Sequence, residues 1–182
     1  MQKGTGPGPG SSTGHTRGIS KFIESSVVRF HIKDFLGIPC GGMHWMPKVL
    51  RMLHSEDSPV KYHGTDIVSH VIEQHKQTFA NETDWYFAQQ DISTAEYSMA
   101  YDLILSRDVM FRLDERGVEC SKDNFSCSQS MYRMCTSTPG HGNSLRTYRN
   151  SNVVTWTPTH LGNRKEKGEL NNGSFRRVDL ST

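Results

Sequence analysis

Residues 35–53, FLGIPCGGMHWMPKVLRML, hold the pattern that decides the fold. Residues 35–38 form a short apolar run, and Pro39-Cys40-Gly41-Gly42 ends it, as a turn ends a strand. Met46, Val49, Leu50 and Leu53 then recur at i, i+3, i+4 and i+7. That spacing predicts a helix over 45–54 with one buried face. Pro47 falls in its first turn, where a missing N–H does no harm.

Working outward toward the C-terminus, residues 60–64 read as a second strand. Asp66 can cap a second helix over 67–80, carried by Val68, Val71, Ile72 and Phe79. Residues 85–88 read as a third strand. Leu103-Ile104-Leu105 reads as a fourth, apolar on both faces as a central parallel strand is. The alternation predicts an α/β, Rossmann-like doubly wound sheet, mostly parallel, with helices on both faces in three layers. Residues 116–150, rich in Ser, Arg, Asn and Gly, read as an irregular insertion. Residues 153–157 read as a fifth strand, 164–169 as a solvated charged run, and 175–180 as a further strand.

Toward the N-terminus, residues 1–18 are rich in Gly, Ser, Thr and Pro without periodicity and read as a disordered tail. Ile19, Phe22, Ile23 and Val27 suit a short helix over 19–28. The 182 residues therefore read as one domain, spanning 19–182. Only 34% are apolar, so part of the chain is expected to lie outside the core. A net charge of +2 argues against a dedicated nucleic-acid binder. No apolar run approaches the length of a membrane span. The first residues also lack the apolar centre of a secretory signal. The cysteines at 40, 120, 127 and 135 have no CxxC or zinc-like spacing, so free thiols, a cytoplasmic location and no metal are expected. The N-x-S/T sequons at Asn81, Asn124 and Asn172 then count as chance matches.

In an open parallel sheet, ligands gather at the carboxyl ends of the strands, near the point where strand order reverses. The residues just after each strand are PCGGM (39–43), Asp66, Asp91 in QQDIS, and Ser106-Arg107-Asp108. Two adjacent glycines let backbone approach a ligand closely. Asp66 follows the glycine turn at close to the ~20-residue offset at which an acid meets a ribose diol. Each signal alone also has a plain structural reading, as a turn, a helix cap or a loop. Their succession at consecutive strand ends is what carries weight.

The blocks IPCGGMHWMPKVL, YHGTDIV, QQDIS and YDLILSRDVMFRL, with the tail THLGNRKEKGELNNGSFRRVDL, resemble the class I S-adenosylmethionine-dependent methyltransferases. The likeness is nearest to a metazoan branch with a proline-cysteine-glycine turn, over about 35–113 and 153–180. It implies that Cys40, Gly41 and Gly42 face the methionine part of S-adenosylmethionine and that Asp66 binds its ribose hydroxyls. It further implies that Ile67 packs on adenine, that Asp91 and Ile92 meet the adenine edge, and that Ser106 and Arg107 border the transferred methyl. The family's acidic residue two positions before the turn's proline is here Gly37. Residues 116–150 do not resemble the family's regular helix, and the C-terminal hairpin is expected to be incomplete.

In-line displacement at a sulfonium needs mostly proximity and orientation. If the acceptor must lose a proton, His44 or Asp108 is the candidate base, and Arg107 can steady an anionic substrate. The expected function is methyl transfer from S-adenosylmethionine to a small-molecule or otherwise unidentified acceptor. The alternative is a catalytically weak remnant that acts as a binding or interaction protein. A nicotinamide enzyme is disfavoured, since PCGGM lacks G-x-G-x-x-G spacing. If the missing carboxylate is what limits the site, Gly37→Asp is expected to strengthen cofactor binding.

Overall fold

The computed structural model describes residues 13–54, 59–97, 99–127, 132–136, 153–156 and 175–177. Seven strands form one sheet in the order β3-β2-β1-β4-β5-β6-β7. They are β1 (Asp34–Gly37), β2 (Lys61–Asp66), β3 (Trp85–Gln89), β4 (Leu103–Arg107), β5 (Tyr132–Thr136), β6 (Val153–Trp156) and β7 (Phe175–Arg177). All neighbouring pairs are parallel except β6 and β7, so the return strand β7 is three residues long and antiparallel. The strand ladder pairs Gly37 with Gly64 on one side and with Leu105 on the other.

Alternation along β1 sends successive side chains to opposite layers. Phe35 joins one buried cluster with Ile19, Ile23, Met46, Val49, Leu50, Leu53, Tyr62 and Leu103. Leu36 and Ile38 join the other, with Ile92, Tyr101, Ile104, Met110 and Phe125. The first layer is built by helices α1 (Thr13–Phe30) and α2 (Met46–His54), with Phe79 at the end of α3 (Ser69–Thr78) packed against it. The second is built by the 91–101 connection, a 3-10 turn at Met110–Arg112, and α4 (Glu115–Cys127). Among the described residues, no helix is long and apolar enough to cross a membrane.

Two sequence expectations are corrected. Helix α1 begins at Thr13, so the last part of the supposed 1–18 tail is helical, while residues 1–12 lie outside the described residues. Thr16 sits three residues before Ile19 and is itself buried, and its carbonyl accepts from the Ser20 hydroxyl at 2.9 Å. Adding residues to an existing helix costs far less than nucleating one.

The 116–150 segment is not irregular throughout. It carries most of α4 and all of β5, a strand that sequence reading missed; the rest of it lies outside the described residues. Asp114 caps α4 by accepting the Gly117 N–H at 2.7 Å. Val118, Ser121 and Phe125 form its buried stripe. With a serine in that stripe and polar residues elsewhere, hydrophobic periodicity is nearly erased. The strand read at 153–157 is therefore the sixth, and that at 175–180 the seventh.

Candidate active site at the carboxyl edge of the sheet

Strand order reverses between β1 and β4, and the turn after β1 crosses that point. Ile38 donates its N–H to Leu105 O at 2.9 Å, on the β4 side. Cys40 donates to Thr65 O at 2.7 Å, on the β2 side. The turn is thus pinned between both neighbours of β1. Gly41 sits in the left-handed region, with φ +56°, and a Cβ built there would meet nothing within 4 Å. Glycine meets both the conformational demand and the open space in front of it. Met43, also left-handed at φ 52°, is buried, and its sulfur accepts from the Tyr62 hydroxyl at 3.6 Å.

Asp66, at the end of β2, is only 7% exposed, and both its oxygens accept backbone N–H groups. Gly41 donates to Oδ2 at 3.1 Å and Val68 to Oδ1 at 3.0 Å. The carboxylate therefore ties the glycine turn to the start of α3, and each oxygen keeps a second lone pair for a ligand hydroxyl. The expected helix cap takes the form of a turn ending at Val68, and α3 begins at Ser69. Beside it Ile67 is 58% exposed, an apolar side chain held out from the strand end.

His75 was not singled out in the sequence. Buried on α3, it brings Nε2 to 2.6 Å from Gly41 O. A carbonyl can only accept, so Nε2 carries the proton. The signal was present but ambiguous, because position 75 continues the Val68, Val71, Ile72, Phe79 stripe and so reads as core.

The other expected residues are placed as follows. Cys40 is half-buried, and burial together with the nearby Asp66 charge pushes its thiol up to about 12, which keeps it protonated and a poor nucleophile near neutrality. Gly42 and His44 are exposed, and the His44 ring folds back over Gly42. Asp91 closes a turn by accepting the Ser93 N–H at 2.9 Å and its hydroxyl at 2.7 Å, and these bonds lower its pKa. Gln90 N donates to Asp66 O at 3.0 Å, which sets Asp91 near the end of β2. The Ile92 side chain is in the core, so only its backbone is available to a ligand. Ser106 is 1% exposed. Arg107, whose side chain is 8% exposed, stacks over Trp45 at 5.9 Å and approaches Asp108 at 3.5 Å. Burial lowers its guanidinium pKa, partly offset by the Asp108 charge. Asp108 has φ 56°. No three His, Cys, Asp or Glu among the described residues are grouped to hold a metal.

The expectation for Gly37→Asp is corrected by packing. A Cβ at Gly37 would run into the hydroxyl of Tyr62, which is 1% exposed. The space occupied by an acid in the family is filled here by a phenol.

Neither protein-family models nor curated proteins give a match to this chain. Solved structures do match. A bacterial Hen1 methyltransferase domain superposes with a TM-score of 0.55 at 15% identity, covering 81% of this chain and 71% of that one. The N-methyltransferase NodS from Bradyrhizobium japonicum, solved with S-adenosyl-l-homocysteine, gives 0.50 at 17%, covering 60% and 54%. An S-adenosylmethionine-dependent methyltransferase from Clostridium acetobutylicum gives 0.50 at 18%, covering 60% and 44%. The chain thus spans about half the length of these last two. At such identities the likeness shows the fold alone: a Rossmann-like α/β sheet like that of these methyltransferase structures.

Three buried polar atoms near this edge have no hydrogen-bond partner among the described residues: Thr65 Oγ1, Gln90 Oε1 and Ser106 Oγ. Buried polar groups are normally paired, so three orphans beside an open glycine turn suit a polar ligand. With the Asp66 carboxylate and the exposed Ile67, they fit an adenosyl group.

Proposed function

We propose that this chain binds S-adenosylmethionine at the carboxyl edge and transfers its methyl group to a small-molecule or otherwise unidentified acceptor. The observation that carries the reading is the Gly41 turn, left-handed and open, pinned by Asp66 where strand order reverses. The neighbours' own cofactors and products support it by analogy of fold.

The bound sulfonium would supply an electrophilic methyl carbon; the chain's part is to hold and orient. The Cys40–Gly42 backbone receives the methionine end, and Asp66 accepts from the ribose hydroxyls. Ile67 covers one adenine face, while Asp91 and the Ile92 backbone meet its edge. Ser106 and Arg107 border the methyl. If the acceptor must lose a proton, His44 or Asp108 is the candidate base. The thiol of Cys40, held protonated, does not compete as a nucleophile.

Tyr62 above Gly37 favours a second reading, a domain that binds the cofactor weakly and works as a binding protein. Calorimetric titration of the purified chain with S-adenosylmethionine and S-adenosyl-l-homocysteine tests both. Saturable binding of each supports the site, and absence of both overturns it. Binding without methyl transfer to any acceptor in a broad panel selects the second reading.

A further inference from the structure

We infer that His75 is a positioning residue that holds the cofactor-facing turn in its binding conformation through the Gly41 carbonyl. The inference rests on the cofactor reading above. Gly41 is gripped through both of its flanking peptides: its N–H by Asp66 Oδ2 at 3.1 Å and its C=O by His75 Nε2 at 2.6 Å. Both gripping side chains are buried, and both come from the β2–α3 unit rather than from the turn itself.

A left-handed glycine is the most conformationally free point of a chain, so its geometry must be imposed from outside. Asp66 alone fixes the N–H and leaves the following peptide able to rotate about Gly41 ψ. The His75 bond removes that freedom. Its ring is itself set by Phe79 and Phe87, with centroids at 5.8 and 5.3 Å. A site whose polar groups are held before the ligand arrives loses less entropy on binding.

The test uses variants that separate the donor from the ring. His75→Phe keeps an aromatic side chain against Phe79 and Phe87 but has no N–H. His75→Gln keeps a donor at similar reach. In the ligand-free protein, amide exchange at Gly41–Met43 is expected to rise several-fold in His75→Phe. The Ile38 amide, bonded to β4, is expected to stay as in the parent. Calorimetric affinity for S-adenosyl-l-homocysteine is expected to fall about three- to tenfold, the reach of one ordinary hydrogen bond. His75→Gln is expected to restore both.

If His75→Phe does not fold, His75→Met serves as the donor-free variant. Unchanged exchange and affinity overturn the inference. So does a loss that His75→Gln fails to rescue, since that marks a packing role. Faster exchange in His75→Phe, with a parent that binds no cofactor, overturns the cofactor-positioning role and the cofactor reading together. Parent binding with no effect of His75→Phe overturns the positioning role alone.

Discussion

At the scale of single residues, Asp66 ties the Gly41 turn to the start of α3, and in the proposed reading it also accepts from the ribose hydroxyls. Asp66→Ala leaves the Gly41 and Val68 N–H groups without their acceptor, so stability falls along with any ribose contact. Loss of bonds to a charged acceptor is worth about 1.5–3 kcal/mol. In a domain of this size that lowers Tm by roughly 3–12 °C. Calorimetry on the folded variant is expected to show at least tenfold weaker binding of S-adenosyl-l-homocysteine; parent affinity would remove Asp66 from the site. Gly37 behaves differently. Gly37→Ala pushes a methyl into the Tyr62 phenol and is expected to cost about 1–3 kcal/mol by overpacking. Tyr62→Phe removes the nearest obstructing atom, so the double variant should lose less than the sum of the singles in denaturant unfolding. Strict additivity would show that the two residues do not meet. That Asp66 lies at the end of a strand was legible in the sequence, from local periodicity and turn signals. The phenol over Gly37 was not, because it comes from a neighbouring strand.

At the scale of elements, α4 turns the second face of the sheet into a closed layer. Phe125 is its main anchor, packed with Leu36, Ile38 and Ile104 and tilted against the Tyr97 ring at 5.9 Å. Phe125→Ala is expected to destabilise by about 3–5 kcal/mol in chemical denaturation. Asp114→Ala, which removes only the cap, is expected to cost about 1 kcal/mol. If both variants unfold at the parent's denaturant midpoint, α4 does not pack on the sheet. Helices α2 and α3 were legible because their apolar residues recur at helical spacing. In α4, by contrast, a cap, one valine, one serine and one phenylalanine do the work of a full stripe. Strand β5, YRMCT, alternates apolar and polar only over Tyr132, Arg133 and Met134, too briefly to stand out from the polar sequence around it. Its backbone is recruited by β4, whose carbonyls and amides need a partner on that side.

At the scale of the whole molecule, ligand and pH should act on one cooperative unit. Any ligand that binds only the folded chain stabilises it by mass action. At a hundredfold excess over Kd, this is about 2.7 kcal/mol and roughly 5–11 °C in Tm. S-adenosyl-l-homocysteine is expected to produce such a shift in a thermal melt, and adenosine alone a smaller one. Acid acts through His63, which lies between the rings of Tyr86 and Tyr101, 3.7 Å from the Asp34 carboxylate, too far for a hydrogen bond. Burial lowers its pKa despite that acid, so the folded state takes up the proton less readily than the unfolded chain. Its contribution is complete above pH 6.5, the ordinary value, and is lost as pH falls toward the lowered one. His63→Gln is expected to flatten the decline of Tm over that interval; an unchanged slope would assign it to other groups. The sequence by itself determined the strand and helix order from 34 to 107, and which side chains end up at the strand ends. Both follow from local periodicity and turn chemistry, which act over a few residues. Only the tertiary structure decided that Tyr62 fills the space over Gly37, that Asp66 accepts the Gly41 N–H, and that His75 grips the Gly41 carbonyl. Each of these is a contact between groups 25 to 34 residues apart, or between adjacent strands, and depends on register and burial that no local pattern encodes.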